Sequence, residues 1–168
     1  LETELEKAVR QLETEKSWKH PRPADHTPGS DPAYVQYSAV TTETKTGAVL
    51  ALIGGRDFSH SRIDRTQTRR DLGSAFEPFI AAAAAEREKL ILPGRPLQTG
   101  RQIGPAEVQR IARRCGIIVT FVETEDLFRG AIAASSRGMA TGLASLGNQG
   151  KRPRLFFLRE VRKPSGEV

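Results

Sequence analysis

The chain has 168 residues, 38% of them hydrophobic, and a formal charge of +6. That length supports one sizeable core, alone or with extensions, and no window approaches the roughly 18 consecutive apolar residues of a membrane-spanning helix. A single cysteine, Cys115, excludes an internal disulfide framework and a multi-thiolate zinc site, and its place in a helical pattern reads as a small core residue.

Residues 1–16, LETELEKAVRQLETEK, hold five glutamates against three basic residues. Leu1, Leu5, Val9 and Leu12 recur at helical spacing, so an amphipathic helix is expected, with an apolar stripe in need of a partner surface. Because the first residue is a leucine, any targeting or anchoring segment is expected to lie outside this sequence. Residues 19–33 are dense in Pro, Gly, Ser and Asp and read as a connector, with His20 and His26 as solvated loop side chains. Next, YVQYSAVTTE (34–43) and AVLALIGG (48–55) form a predicted hairpin about a TKTG turn, and Gly54 and Gly55 mark a sharp turn or close approach.

A polar segment, RDFSHSRIDRTQTRRD (56–71), leads to a predicted helix from about residue 74, whose Ala81 to Ala85 suit tight packing. In IGPAEVQRIARRCGI (103–117), Val108, Ile111, Ala112 and Cys115 fall on one helical face, Pro105 suits the first turn and Gly116 the stop. A further helix is expected over roughly 130–146, then a strand over LFFLREV (155–161) and a turn over KPSGEV (163–168). This order implies an α+β fold with helices packed on an antiparallel sheet.

The terminal charge admits two readings. Lys151, Arg152, Arg154, Arg159, Arg162 and Lys163 stand against one glutamate and form a candidate polyanion-binding strip for nucleic acid, anionic lipid or wall polymer. The same charges also suit a solvated strand edge. Nucleic acid is the weaker partner, because zinc-finger spacing, an RNP-type aromatic strand and a phosphate-binding loop are all missing.

Several segments together carry a family resemblance. KTGAVLALIGGRDFSHSRIDRTQTRRDLGSAFEPF resembles the stretch of penicillin-binding proteins, especially the bifunctional ones, that runs from a strand through GG-x-D-F to the serine helix GS-x-F-K-P-F. IGPAEVQRIARRCGI resembles a later helix of that family, MATGLASLGNQGKRPRLFFLREV its Asn-Gly-Gly region, and the first helix its linker into the transpeptidase domain. The resemblance implies a truncated serine β-lactamase/transpeptidase-like fold. Residues 1–18 would be a linker helix, 19–33 a connector and 34–168 the domain.

In that family a serine and a lysine three residues later share one helical face, and the amine takes the hydroxyl proton as the serine attacks. Ser74 occupies the nucleophile position; Glu77 replaces the lysine. A carboxylate beside a developing oxyanion reverses a favourable charge, and such electrostatic groups contribute about 10² to 10³ in rate each. The S-x-x-E spacing also fits a capping box, in which Ser74 and Glu77 bond each other's backbone N–H groups.

No Ser-x-Asn occurs in the sequence; Ser135-Ser136-Arg137 stands in one alternative place for it, and Asn148 matches a family turn. Lys45-Thr46-Gly47 spells the family's carboxylate-binding motif but precedes Ser74, in a predicted turn. The acidic E-D-x-x-F segment of a glycosyltransferase is also missing. The expectation is a degenerate, non-catalytic transpeptidase-like scaffold or interaction module of an extracytoplasmic cell-wall synthesis protein. It would use no cofactor or metal, with cell-wall proteins or peptidoglycan as partners and a membrane anchor only outside this chain. An active D,D-transpeptidase acylated at Ser74, and a basic polyanion-binding module, are the alternatives.

Overall fold

The computed structural model describes residues 1–89, 91–120 and 124–165. Among the described residues, five α-helices and four short strands follow in the order α1 (Glu2–Glu13), β1 (Ala39–Thr42), β2 (Val49–Ile53), β3 (Arg70–Asp71), α2 (Glu77–Glu86), α3 (Pro96–Arg101), α4 (Pro105–Cys115), β4 (Ala133–Ala134) and α5 (Ser136–Gly147). Helices pack around two separate two-stranded antiparallel sheets, β1 with β2 and β3 with β4. No helix among the described residues is long and apolar enough to cross a membrane.

The core is built by the faces that the spacing marks. Val108, Ile111, Ala112 and Cys115 of α4 are buried against Phe76 and against Phe79, Ile80 and Ala83 of α2. Pro105 opens α4 and Gly116, at φ 99°, closes it in the left-handed region. Small residues let the helices approach: a Cβ on Gly142 of α5 would meet Phe79 and Ile117 at 2.8 Å. Burial pushes the Cys115 thiol pKa up, as expected of an inert core residue.

The hairpin forms with Ala39 opposite Ile53, Val40 opposite Leu52 and Thr41 opposite Ala51, then a bulge before Thr42. Glu43 N–H donates to the Ala48 carbonyl at 2.8 Å and Gly47 N–H to the Glu43 carbonyl at 2.9 Å, which places Lys45, Thr46 and Gly47 in the turn. Gly54 does mark a close approach, since a Cβ there would stand 3.1 Å from the Asp64 carboxylate.

Several expected boundaries are corrected. The first strand is regular only from Ala39, because Tyr34 is buried and Gln36 and Tyr37 are spent on contacts with Arg56 and Glu6. The helix expected from 130 starts at Ser136: Gly130 turns the chain at φ 75°, and Ala133–Ala134 pair with Arg70–Asp71 instead. Residues 155–161 do not form a strand; a single parallel bridge joins Phe156 to Ala48, beyond which Leu158 and Val161 are 76% and 73% exposed. The turn expected over 163–168 runs partly outside the described residues. His26 is not simply solvated, for its ring stacks on His60 with centroids 4.1 Å apart. The leucine stripe of α1 is only partly used: Leu5 and Val9 are half-buried, while Leu1 and Leu12 are 56% and 48% exposed.

Candidate active site

Ser74 is positioned by a crossing of two backbones. Leu72 N–H donates to the Ile132 carbonyl at 3.0 Å and Gly73 N–H to the Gly130 carbonyl at 3.1 Å, carrying β3 into a 3-10 turn over Gly73–Phe76. Any Cβ on Gly130 would collide with the Gly73 backbone, so this approach requires glycine. Phe76 and Phe79, stacked with centroids 5.5 Å apart and wholly buried, then anchor the start of α2 in the core.

The capping box does not form. It would need Ser74 at the N-cap and Glu77 at the third helical position, but the 3-10 turn occupies that ground and α2 begins at Glu77 itself, with Phe76 as N-cap. In a 3-10 turn residues three apart lie on one side. Ser74 and Glu77 accordingly line one cleft of about 280 Å³. Neither side chain makes a hydrogen bond to another described residue.

The facing wall is apolar: Ile91, Leu92, Pro93, Gly94 and Pro96, held by Leu92 N–H donating to the Thr99 hydroxyl at 3.0 Å. No lysine, arginine or histidine lines the cleft among the described residues, and Glu77 is its one charged group there. The cleft thus offers a hydroxyl and a carboxylate at the first turn of a helix, where the helix dipole already favours a negative charge. Among the described residues it offers no amine to take the serine proton.

The other residues singled out by the motif resemblance make structural contacts. Ser135 caps α5, its hydroxyl accepting from Gly138 N–H at 3.2 Å, and Ser136 meets the Ser38 hydroxyl at 3.2 Å. Arg137 pairs with Asp64 at 2.6 Å, donates to the Thr66 hydroxyl at 2.9 Å and lies 5.3 Å from the Phe157 ring centroid. Asp64 sits below the usual carboxylate range: burial opposes this, but hydrogen bonds from Thr66 and Gln67 and the charge of Arg137 outweigh it. Asn148 closes a turn, donating to the Lys151 carbonyl at 3.0 Å.

Lys151, Arg152, Arg154, Arg159, Arg162 and Lys163 are exposed along an irregular segment and do not line the cleft, and Arg162 pairs with Glu160 at 2.8 Å. Among the described residues no group of three or more His, Cys, Asp or Glu converges as a metal site.

A second, larger groove of about 590 Å³ follows the edge of β1 not paired to β2 and is walled by α5 through Met139, Ala140 and Leu143. Sequence reasoning misses it, because it depends on which strands do not pair. It equally misses the contact of Arg56 with Glu6 and Glu13, whose partners lie 50 and 43 residues away.

No family model matches the chain. Over 54 residues, 32% of this chain, it is 44% identical to penicillin-binding protein 1A of Neisseria lactamica; over 93 residues, 55% of the chain, it is 34% identical to penicillin-binding protein 1F of Bacillus subtilis. These segments span only 7% and 12% of those relatives. Among solved structures, penicillin-binding protein 1A of Haemophilus influenzae superposes on 81% of this chain and 27% of its own, with a TM-score of 0.70 at 19% identity. The PonA1 protein of Mycobacterium tuberculosis, in complex with penicillin V, superposes on 97% of this chain and 53% of its own, with a TM-score of 0.69 at 19% identity.

Proposed function

From the penicillin-binding-protein transpeptidase-like fold of this chain, we propose that it serves as a non-catalytic scaffold or interaction module of an extracytoplasmic cell-wall synthesis protein. One observation carries this reading: the cleft at Ser74 holds Glu77 and no basic side chain among the described residues. Serine acylation needs a proton acceptor within hydrogen-bond reach and positive electrostatics for the oxyanion. Glu77 opposes the second requirement. The sequence supports the same reading, since Ser-x-Asn is missing and Lys45-Thr46-Gly47 is spent in the hairpin turn.

A scaffold needs surface rather than chemistry, and the groove along β1 supplies it. Residues 1–18 act as linker, 19–33 as connector and 34–168 as the module, with other cell-wall proteins or peptidoglycan as partners. Incubation with a fluorescent penicillin tests the proposal. The expected gel shows no labelled band; a covalent band that disappears in Ser74→Ala would establish the enzyme instead.

A further inference from the structure

We propose that Arg56 is the receptor of an ionic latch that clips α1 to the body of the protein and can open while the body stays folded. Glu6 and Glu13 stand seven residues apart, on one face of the helix two turns from each other, and the Arg56 guanidinium enters between them. Its Nε and Nη2 donate to Glu6, both at 2.8 Å; its Nη1 and Nη2 donate to Glu13 at 2.6 and 3.1 Å. The planar fork of arginine suits this double capture, and a lysine could not make it.

Everything around the latch reinforces it. The Arg56 side chain is 4% exposed and lies 5.7 Å from the Tyr34 ring centroid, while its backbone N–H donates to the Gln36 side chain at 3.2 Å. Tyr37 donates to Glu6 at 3.2 Å, Arg10 donates to the other Glu6 oxygen at 2.7 Å, and Arg22 donates to the Glu13 carbonyl at 2.9 Å. The hydrogen bond from Arg56, aided by those from Arg10 and Tyr37, holds Glu6 at a pKa of about 2 despite partial burial.

The sequence gives α1 a leucine stripe, yet its two end leucines face solvent while Glu13 is buried. Charge therefore joins the half-buried Leu5 and Val9 in seating the helix. A buried charge that loses its partner is strongly disfavoured, so the seat has two states, closed or open. Gln36 and Tyr37, which grip Arg56 and Glu6, also line the groove beside β1. The latch thus ties the position of α1 to that groove. This inference does not rest on whether Ser74 is acylated.

Amide hydrogen exchange read by mass spectrometry tests it on the full chain. In Glu6→Gln/Glu13→Gln, exchange of α1 amides should accelerate at least about tenfold, and that of residues 36–38 should rise with it, while residues 76–86 keep wild-type protection. Arg56→Lys should fall between wild type and the double variant, and Leu12→Ser should match wild type. Unchanged α1 exchange in the double variant, or an equal loss in Leu12→Ser, would overturn the latch. Loss of protection over 76–86 together with α1 would show that the seat cannot open separately, and would overturn it as well.

Discussion

Truncating Phe79 should remove the support on which the Ser74 turn rests. Its ring is wholly buried, stacks on Phe76 with centroids 5.5 Å apart and fills the space left by Gly142. Deleting a buried phenylalanine typically costs about 3–5 kcal/mol, including about 0.5–1.5 kcal/mol from an aromatic pair. That is a large share of the roughly 5–15 kcal/mol by which a domain is stable. With a urea dependence of about 2 kcal/mol per molar, Phe79→Ala should lower the unfolding midpoint by about 2 M. Phe58, 73% exposed, supplies the control, and Phe58→Ala should change stability by less than about 0.5 kcal/mol. Equal midpoints for the two variants would refute the proposed core.

Other expectations follow from contacts elsewhere. Gly100→Ala would drive a methyl into the buried Phe128 ring and should cost about 1–3 kcal/mol in a denaturant melt; a neutral result would mean that α3 packs elsewhere. Glu6 is depressed from 4.5 to about 2, so its stabilisation is complete above pH 4.5 and disappears as pH falls toward 2. Thermal midpoints of wild type should drop across that window more steeply than those of Glu6→Gln, and parallel curves would contradict the assignment. Glu77→Lys should restore the family's serine–lysine spacing without restoring penicillin labelling, and labelling would show a more complete cleft. Any binding of wall polymer through Arg152, Arg154 and their neighbours should weaken steeply with salt; a flat response removes that role.

Local patterns make much of this fold legible in sequence. The α4 face, its proline start and glycine stop, and the hairpin about Gly47 each depend on residues close in the chain. The resemblance read from the Ser74 segment is matched by the penicillin-binding-protein structures that superpose on this chain. What escapes is long-range. Residues 155–161 have strand composition, but Phe156 makes only a bridge to the hairpin, and composition cannot supply a missing partner row. The Ser74–Glu77 spacing matches a capping box, yet the contact of Gly73 with Gly130 forces a 3-10 turn and displaces the helix start. The leucines of α1 draw attention from Glu6 and Glu13, whose meaning depends on Arg56 far along the chain.

Intact-mass measurement after prolonged exposure to excess penicillin V tests the central claim most directly. An unchanged mass for both wild type and Ser74→Ala is predicted by a cleft whose serine shares its lining with a carboxylate and no basic side chain among the described residues. A stoichiometric adduct on wild type, missing from Ser74→Ala, would contradict it.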